Sequence, residues 1–427
     1  MNASVATKED HVFLLTVTLA GDELAGFVSR ARDMLAKELQ VSGFRKGKVP
    51  KDMADKHLPD ARVREAAMEM AIEDSFSRAV AEQGWDVAKT DGLNVTANEP
   101  GRLAYTVNVF VWPAVNIGDL SEVSVSRRPV EVTDEQVSEA LETLRDMRAT
   151  FLVKEGAVAE GDRAEVDFRS SIDGVPVPGG EGMNHPLIVG GRTFMPGFEE
   201  QLIGLRAGDR KEFELTAPED YANAELAGKR IRFEVTVRTV QLVMRPEVND
   251  DFARSLKLPD AGGLRDAVRQ SVKAEQTVRE RDRVRLAAMD AILGKTDIPA
   301  PAFLVAEERE RMIRSFEQSL QEKGLGLDLY LARMNRTRAD LQTQYSREAE
   351  RQVRISLVLR CIIRDQRLEA TGQEVDAMLQ DTLSRVAGRD GSVPEGVDMD
   401  ALRTTVADRI VSEKALAYLE RTCVTAA

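Results

Sequence analysis

In "HVFLLTVTLA" apolar residues recur at every second position. Phe13, Leu15, Val17 and Leu19 alternate with a set that turns polar at Thr16 and Thr18, which predicts a strand with one well-buried face. The period lengthens in "GDELAGFVSRARDMLAKELQ", where Leu24, Phe27, Val28, Ala31, Leu35 and Leu39 recur at three and four, an amphipathic helix with Asp22 placed to cap it. Pro50 opens a short helix, and "DARVREAAMEMAIEDSFSRAVAEQG" puts Met68, Ile72, Phe76 and Ala79 or Val80 on one stripe, with Gly84 near its end. "LAYTVNVFVW" returns as a strand. "WPAVNIGDL" is a proline-broken connector, followed by a helix that Thr133 opens with Gln136 three residues on, a capping box.

From about 151 to 243 the period is two again, with "AEVDFRS", "KEFELT" and "RIRFEVTVR" alternating as half-buried antiparallel strands. Turns at Asp173-Gly174, Gly179-Gly180, Gly190-Gly191 and Gly208-Asp209 punctuate them, and "PGFEEQLIGL" is short and helix-like. The expected shape is a small bent sheet wrapped on one helix. After 244 the strand pattern gives way to long helical periods: one from Gly263, one after Pro299 and Pro301, and one capped by Thr337 with Asp340. At about 1.5 Å per residue such helices reach roughly 45 Å, which suggests arms.

The 427 residues allow several domains, and 43% apolar with 31% charged residues fits a folded, soluble, helix-rich chain rather than a disordered or membrane one. No basic head and apolar run resembling a secretory signal stands at Met1, and Cys361 and Cys423 form no framework, so the expectation is cytoplasmic. His11, His57 and His185 lack zinc-ligand spacing, so no metal and no cofactor is expected.

A net charge of -13 makes any contact with a polyanion a local matter. That directs attention to "GFRKGKVPK", where Arg45, Lys46, Lys48 and Lys51 gather with no acid among them. It is not a nucleotide loop: Gly43 and Gly47 are too close for a Walker motif, and Lys48 is followed by Val49 rather than a hydroxyl. Taken alone it fits a solvated turn. In the context of an acidic chain it reads as a docking tip whose glycines bend, whose cations meet phosphate or acids, and whose Phe44 anchors.

In the order of its parts the chain resembles the bacterial trigger factor family of ribosome-associated chaperones, whose tip motif Gly-Phe-Arg-x-Gly-x-x-Pro is matched by Gly43, Phe44, Arg45, Gly47 and Pro50. The resemblance implies an α+β multidomain fold with four parts. Residues 1–112 would be an α/β ribosome-docking domain, 113–150 a linker and connecting helix, 151–243 a small FKBP-like antiparallel β-sheet domain wrapped on a helix, and 244–427 an all-α client-binding domain with long helical arms. The residues Gly43, Phe44, Arg45, Lys46, Gly47, Lys48 and Pro50 would bind a ribosomal protein and ribosomal RNA of the large subunit beside the exit tunnel. Nascent and unfolded polypeptides would be the other partners, with no membrane and no ATP. Homodimerisation off the ribosome is left open.

Residues 151–243 resemble FKBP-type prolyl isomerases at "GDRAEVDFRSSIDG", "GGRTFMPGFEEQLIGLRAGDRKEFEL" and "APEDYANAELAGKRIRFEV". The motif mapping gives a catalytic pocket of Phe168, Phe194, Met195, Phe198, Tyr221 and Phe233, with Phe198 as its floor. Phe168 and Phe233 also suit plain core packing, being inward on their strands. The chain departs from that pattern at Val177 and Pro178, where an aromatic and an acid are usual, at His185, which suits a loop residue better than an acid or base, and at Asn223. Val177, Pro178 and His185 favour one rival, a holdase with a weak or inactive isomerase domain; a second rival is a ribosome-independent isomerase, for which the basic loop would be irrelevant. In the helical end, Leu325, Leu327, Leu329, Tyr330, Leu331 and Met334, with Leu357, Leu359, Ile362 and Ile363, are candidate client contacts or ordinary helix packing.

Overall fold

The computed structural model of the protein describes residues 1–39, 53, 57–221, 226–334, 336–386 and 398–426. The basic loop Gly43–Pro50 and Asn223 lie outside the described residues. The chain divides into two compact units, residues 1–127 with 283–427 and residues 128–282. It is an α+β multidomain protein.

The first unit contains an antiparallel sheet in the order β1-β2-β4-β3, from β1 (Asn2–Glu9), β2 (Val12–Ala20), β3 (Val87–Glu99) and β4 (Arg102–Val111). The helices α1 (Asp22–Glu38) and α2 (Asp60–Gln83) are inserted between β2 and β3. Leu15, Val17 and Leu19 of β2 and Leu103, Tyr105, Val107 and Val109 of β4 bury one sheet face against Leu24, Phe27 and Ala31 of α1 and Ala67, Ala71 and Ala79 of α2. Small side chains line the buried stripe of α2, while Met68, Ile72 and Phe76 pack half-buried at its margins. Tyr105 needs a partner for its buried hydroxyl and finds Ser75 at 2.9 Å. Gly21, at φ +62, is the N-cap of α1, so Asp22 stands inside the first turn, where its charge faces the positive end of the helix dipole, rather than capping it. Gly84 closes α2 in the left-handed region.

Helices α5 (Ala261–Lys295), α6 (Ala302–Glu322), α7 (Leu327–Arg333), α8 (Arg338–Asp365), α9 (Gly372–Val386) and α10 (Met399–Cys423) follow later in the chain. Ala288, Met289 and Ile292 of α5, Leu304 of α6, Leu357 and Ile362 of α8 and Leu419 and Cys423 of α10 share a core with Leu120 and Val123. Pro301 is the N-cap of α6, and Thr337 with Asp340 makes the capping box that opens α8. The strand pattern does not vanish after 244: β11 (Val424–Ala426) pairs in parallel with β5 (Val125–Arg127), a three-residue ladder too short for a periodic signal.

The second unit opens with α3 (Asp134–Met147), capped by the Thr133 and Gln136 box. Val137 and Leu141 pack on Phe252 and Ala253 of α4 (Asp250–Ser255) and on Leu264. Its sheet runs β6-β10-β7-β8, from β6 (Thr150–Val153), β7 (Arg163–Ile172), β8 (Val175–Ile188) and β10 (Arg230–Met244), while β9 (Arg210–Thr216) also pairs with β10. A short 3-10 turn at Glu199–Leu202 packs on this sheet through Phe198 and Leu202.

Candidate functional site

The core of the second unit is aromatic on one side. Phe198, fully buried, lies at the centre: its ring centroid is 4.1 Å from Phe194, 5.2 Å from Phe233, 5.4 Å from Phe213 and 6.1 Å from Phe168. Phe168 meets Phe194 edge-on at 5.0 Å, the arrangement that ring quadrupoles favour. Met195 and Phe233 are buried, whereas Phe168, Phe194 and Tyr221 are half-buried at the margin. The motif residues therefore gather around Phe198, with Phe168 and Phe194 turned partly outward. His185, an exposed residue on β8 rather than in a loop, stands at the rim, 5.7 Å from both Phe168 and Phe194.

Three residues that the motif mapping did not select complete the arrangement. Phe213 stacks on Phe233 at 5.7 Å from the neighbouring strand. Gly182 lies opposite Phe168 in the β7–β8 register, where a Cβ would sit 2.6 Å from the ring. Only glycine lets the strand approach so closely. Glu199 is buried, and its carboxylate accepts from the backbone N–H of Arg192 at 2.9 Å, Thr193 at 2.9 Å and Phe194 at 3.3 Å. Burial pushes this carboxyl up, but the surrounding backbone donors outweigh it and hold it below the usual carboxylate range. An acid next to Phe198 thus fastens the segment that carries Phe194. Sequence offered a hint in the repeated glutamates of "PGFEE", but no sign of which one turns inward.

Elsewhere in the unit, Val177 is half-buried in a separate cavity of about 530 Å³ with Arg169, Ser170, Gly180 and Glu234. Asp167, next to Phe168, is committed to Arg238 at 2.5 Å and to the N–H of Asn184 at 2.6 Å; the Arg238 hydrogen bond holds its carboxyl below the usual range. The half-buried rings of Phe168 and Phe194 thus present an apolar rim with a histidine at its edge, while Phe198, expected as a pocket floor, is wholly buried.

The candidate client residues separate by burial. Leu327 and Leu331 are core, packed with Ile313, Leu320 and Leu341, and Leu325 and Tyr330 are half-buried against the same cluster. Leu357 and Ile362 are buried, with Leu359 and Ile363 half-buried around them. Burial removes Leu327, Leu331, Leu357 and Ile362 as free contacts, since a helix stripe of this period faces its neighbours first. Leu329 and Met334 are exposed.

Comparison with known proteins follows the same segments. The family model for bacterial trigger factor protein matches residues 1–144, that for the trigger factor C-terminus matches residues 262–420, and that for FKBP-type peptidyl-prolyl cis-trans isomerase matches residues 154–238. Trigger factor of Anoxybacillus flavithermus is 33% identical over 390 residues, covering 90% of this chain and 91% of the relative. Trigger factor of Lysinibacillus sphaericus is 33% identical over 387 residues, covering 89% and 90%. A solved structure concerning promiscuous substrate recognition in folding and assembly by the trigger factor chaperone aligns with a TM-score of 0.44 at 18% identity, covering 99% of each chain.

Proposed function

This chain belongs to the bacterial trigger factor family, and on that premise we propose that it receives nascent polypeptides at the ribosomal exit tunnel, docked on the large subunit through Gly43–Pro50. The protein is a chaperone carrying an FKBP-type peptidyl-prolyl cis-trans isomerase domain. The docking tip supplies cations toward a ribosomal protein and ribosomal RNA, and clients are held open, without ATP, for folding and export. Exposed Leu329 and Met334 fit the holding surface. The cytoplasm is the compartment in which such work is done.

The observation that carries the enzymatic reading is the aromatic cluster around Phe198, with Phe168 and Phe194 partly exposed at its margin. Rotating an X-Pro bond meets a barrier of about 18–20 kcal/mol because amide resonance is lost on the way. The twisted amide is less polar than the planar one, so the partly exposed apolar rings of Phe168 and Phe194 stabilise it relative to water. Each 1.36 kcal/mol of that difference gives about tenfold in rate, and no nucleophile or proton transfer is asked of the protein. Phe194 packs on Phe198 with part of its ring exposed and is the residue to test. A cis/trans relaxation assay on a proline peptide should show Phe194→Ala slowed at least about tenfold with the same far-UV spectrum. Equal rates for the two proteins would remove the pocket assignment and favour the holdase reading, which Val177 and Pro178 motivate.

A further inference from the structure

The second unit carries another surface, on the strand β6. Among the described residues β6 pairs only with β10, in the register Thr150↔Met244, Phe151↔Val243, Leu152↔Leu242 and Val153↔Gln241. The N–H of Lys154 donates to the carbonyl of Val240 at 2.8 Å. In an antiparallel ladder the direction of the backbone groups alternates, so Thr150, Leu152 and Lys154 turn theirs toward β10 while Phe151 and Val153 turn theirs outward. Natural sheets blunt such an edge with charge, proline or a bulge. Thr150–Val153 has none of these.

The edge is apolar instead. Val153 is 74% exposed, Leu152 54% and Met147, just before the strand, 77%. Leu152 and its neighbours Leu242 and Met244 on β10 share one face and are all exposed. On the opposite face the Arg163 guanidinium lies 4.7 Å from the Phe151 ring centroid. The charges at the margin are already matched, Lys154 with Asp162 at 2.5 Å and Arg245 with Asp146, which leaves backbone donors and acceptors beside apolar side chains as the free chemistry.

We propose that β6 is a strand-addition site for an extended, apolar stretch of unfolded polypeptide. Such a segment pairs with the outward N–H and C=O groups of Phe151 and Val153 and sets alternate side chains beside Leu152, extending the exposed apolar face that Leu152 forms with Leu242 and Met244. A folded apolar surface would cover the same side chains but leave those backbone groups unpaired, at a cost that an extended chain avoids. The inference rests on the reading that the protein holds unfolded chains, and it adds a site away from the aromatic cluster around Phe198.

The test uses the full chain and a fluorescent, proline-free hexapeptide of alternating valine and threonine, read by anisotropy, beside a twin N-methylated on alternate amides. Val153→Pro removes an outward donor without touching the ladder, because proline is tolerated where its nitrogen faces solvent. The expected result is binding of the plain peptide, at least tenfold weaker binding of its methylated twin and of the plain peptide to Val153→Pro, and an unchanged prolyl relaxation rate. Equal binding of the two peptides, or none, overturns strand addition. Sedimentation that finds a wild-type dimer dispersed by Val153→Pro also overturns it, by giving the edge to a second copy. If Val153→Pro fails to fold, the peptide pair on the wild-type chain decides. Suppression of aggregation of a denatured protein is measured separately, so that loss of the holding activity and loss of this site are told apart.

Discussion

At the scale of single residues, the aromatic cluster depends on two neighbouring residues that can be tested apart from the rings themselves. A methyl group at Gly182 would meet the Phe168 ring at 2.6 Å, so Gly182→Ala should push that ring aside and slow prolyl relaxation by about tenfold, or about 1.4 kcal/mol, with little change in the circular dichroism. Glu199→Gln should weaken the anchoring of the 192–194 backbone, because one carboxylate oxygen becomes an amide donor facing N–H groups, at a cost of about 2 kcal/mol. The sign with pH follows from the lowered folded-state value: the stabilisation by Glu199 is full above the unfolded carboxyl pKa and is lost as pH falls through the folded one. Melting curves of wild type and Glu199→Gln should therefore converge in acid. The ring set was named through the resemblance to FKBP-type isomerases, since position alone marks Phe168 and Phe233 only as inward strand residues. Phe213, Gly182 and Glu199 were hidden because their roles arise from cross-strand register and from the direction of one carboxylate, neither of which is a local property.

At the scale of elements, period and caps were the readable part. The Thr133 and Gln136 box and the Thr337 and Asp340 box both form as their spacing predicts, and "HVFLLTVTLA" becomes β2 with its alternate residues buried. The edge strands β1 and β3 escape the same reasoning, since strands with little burial need no alternation, and β8 is bulged through glycines that read as turns. Removing the cap by Thr337→Ala should cost about 1 kcal/mol, seen as faster hydrogen exchange in the first turn of α8 with the later turns unchanged. Glu374 makes a second element-level case: Lys414 of α10 and the Thr371 backbone bring its carboxyl down to about 2. Its folded pKa is depressed, so the tie between α9 and α10 is complete above about pH 4.5 and loosens as pH falls toward about 2. Exchange in these helices should rise over that window in wild type and be flatter in Lys414→Met.

At the scale of the whole molecule the governing quantity is charge. A chain of net charge -13 is repelled by ribosomal RNA except where its sign is reversed locally, and "GFRKGKVPK" is such a place. Sequence texture marks where the chain changes character, but not which distant segments share a core: Leu120 and Val123 packing with Leu419 and Cys423 is a long-range fact with no local signature. The docking claim is tested most directly by co-sedimentation with ribosomes over a series of salt concentrations, comparing wild type with a chain carrying Phe44→Ala, Arg45→Ala and Lys46→Ala. Wild-type binding should weaken steeply with salt, and the variant should bind far more weakly, with a slope reduced by about one for each phosphate it no longer neutralises. Unchanged binding and an unchanged salt slope in the variant would contradict it.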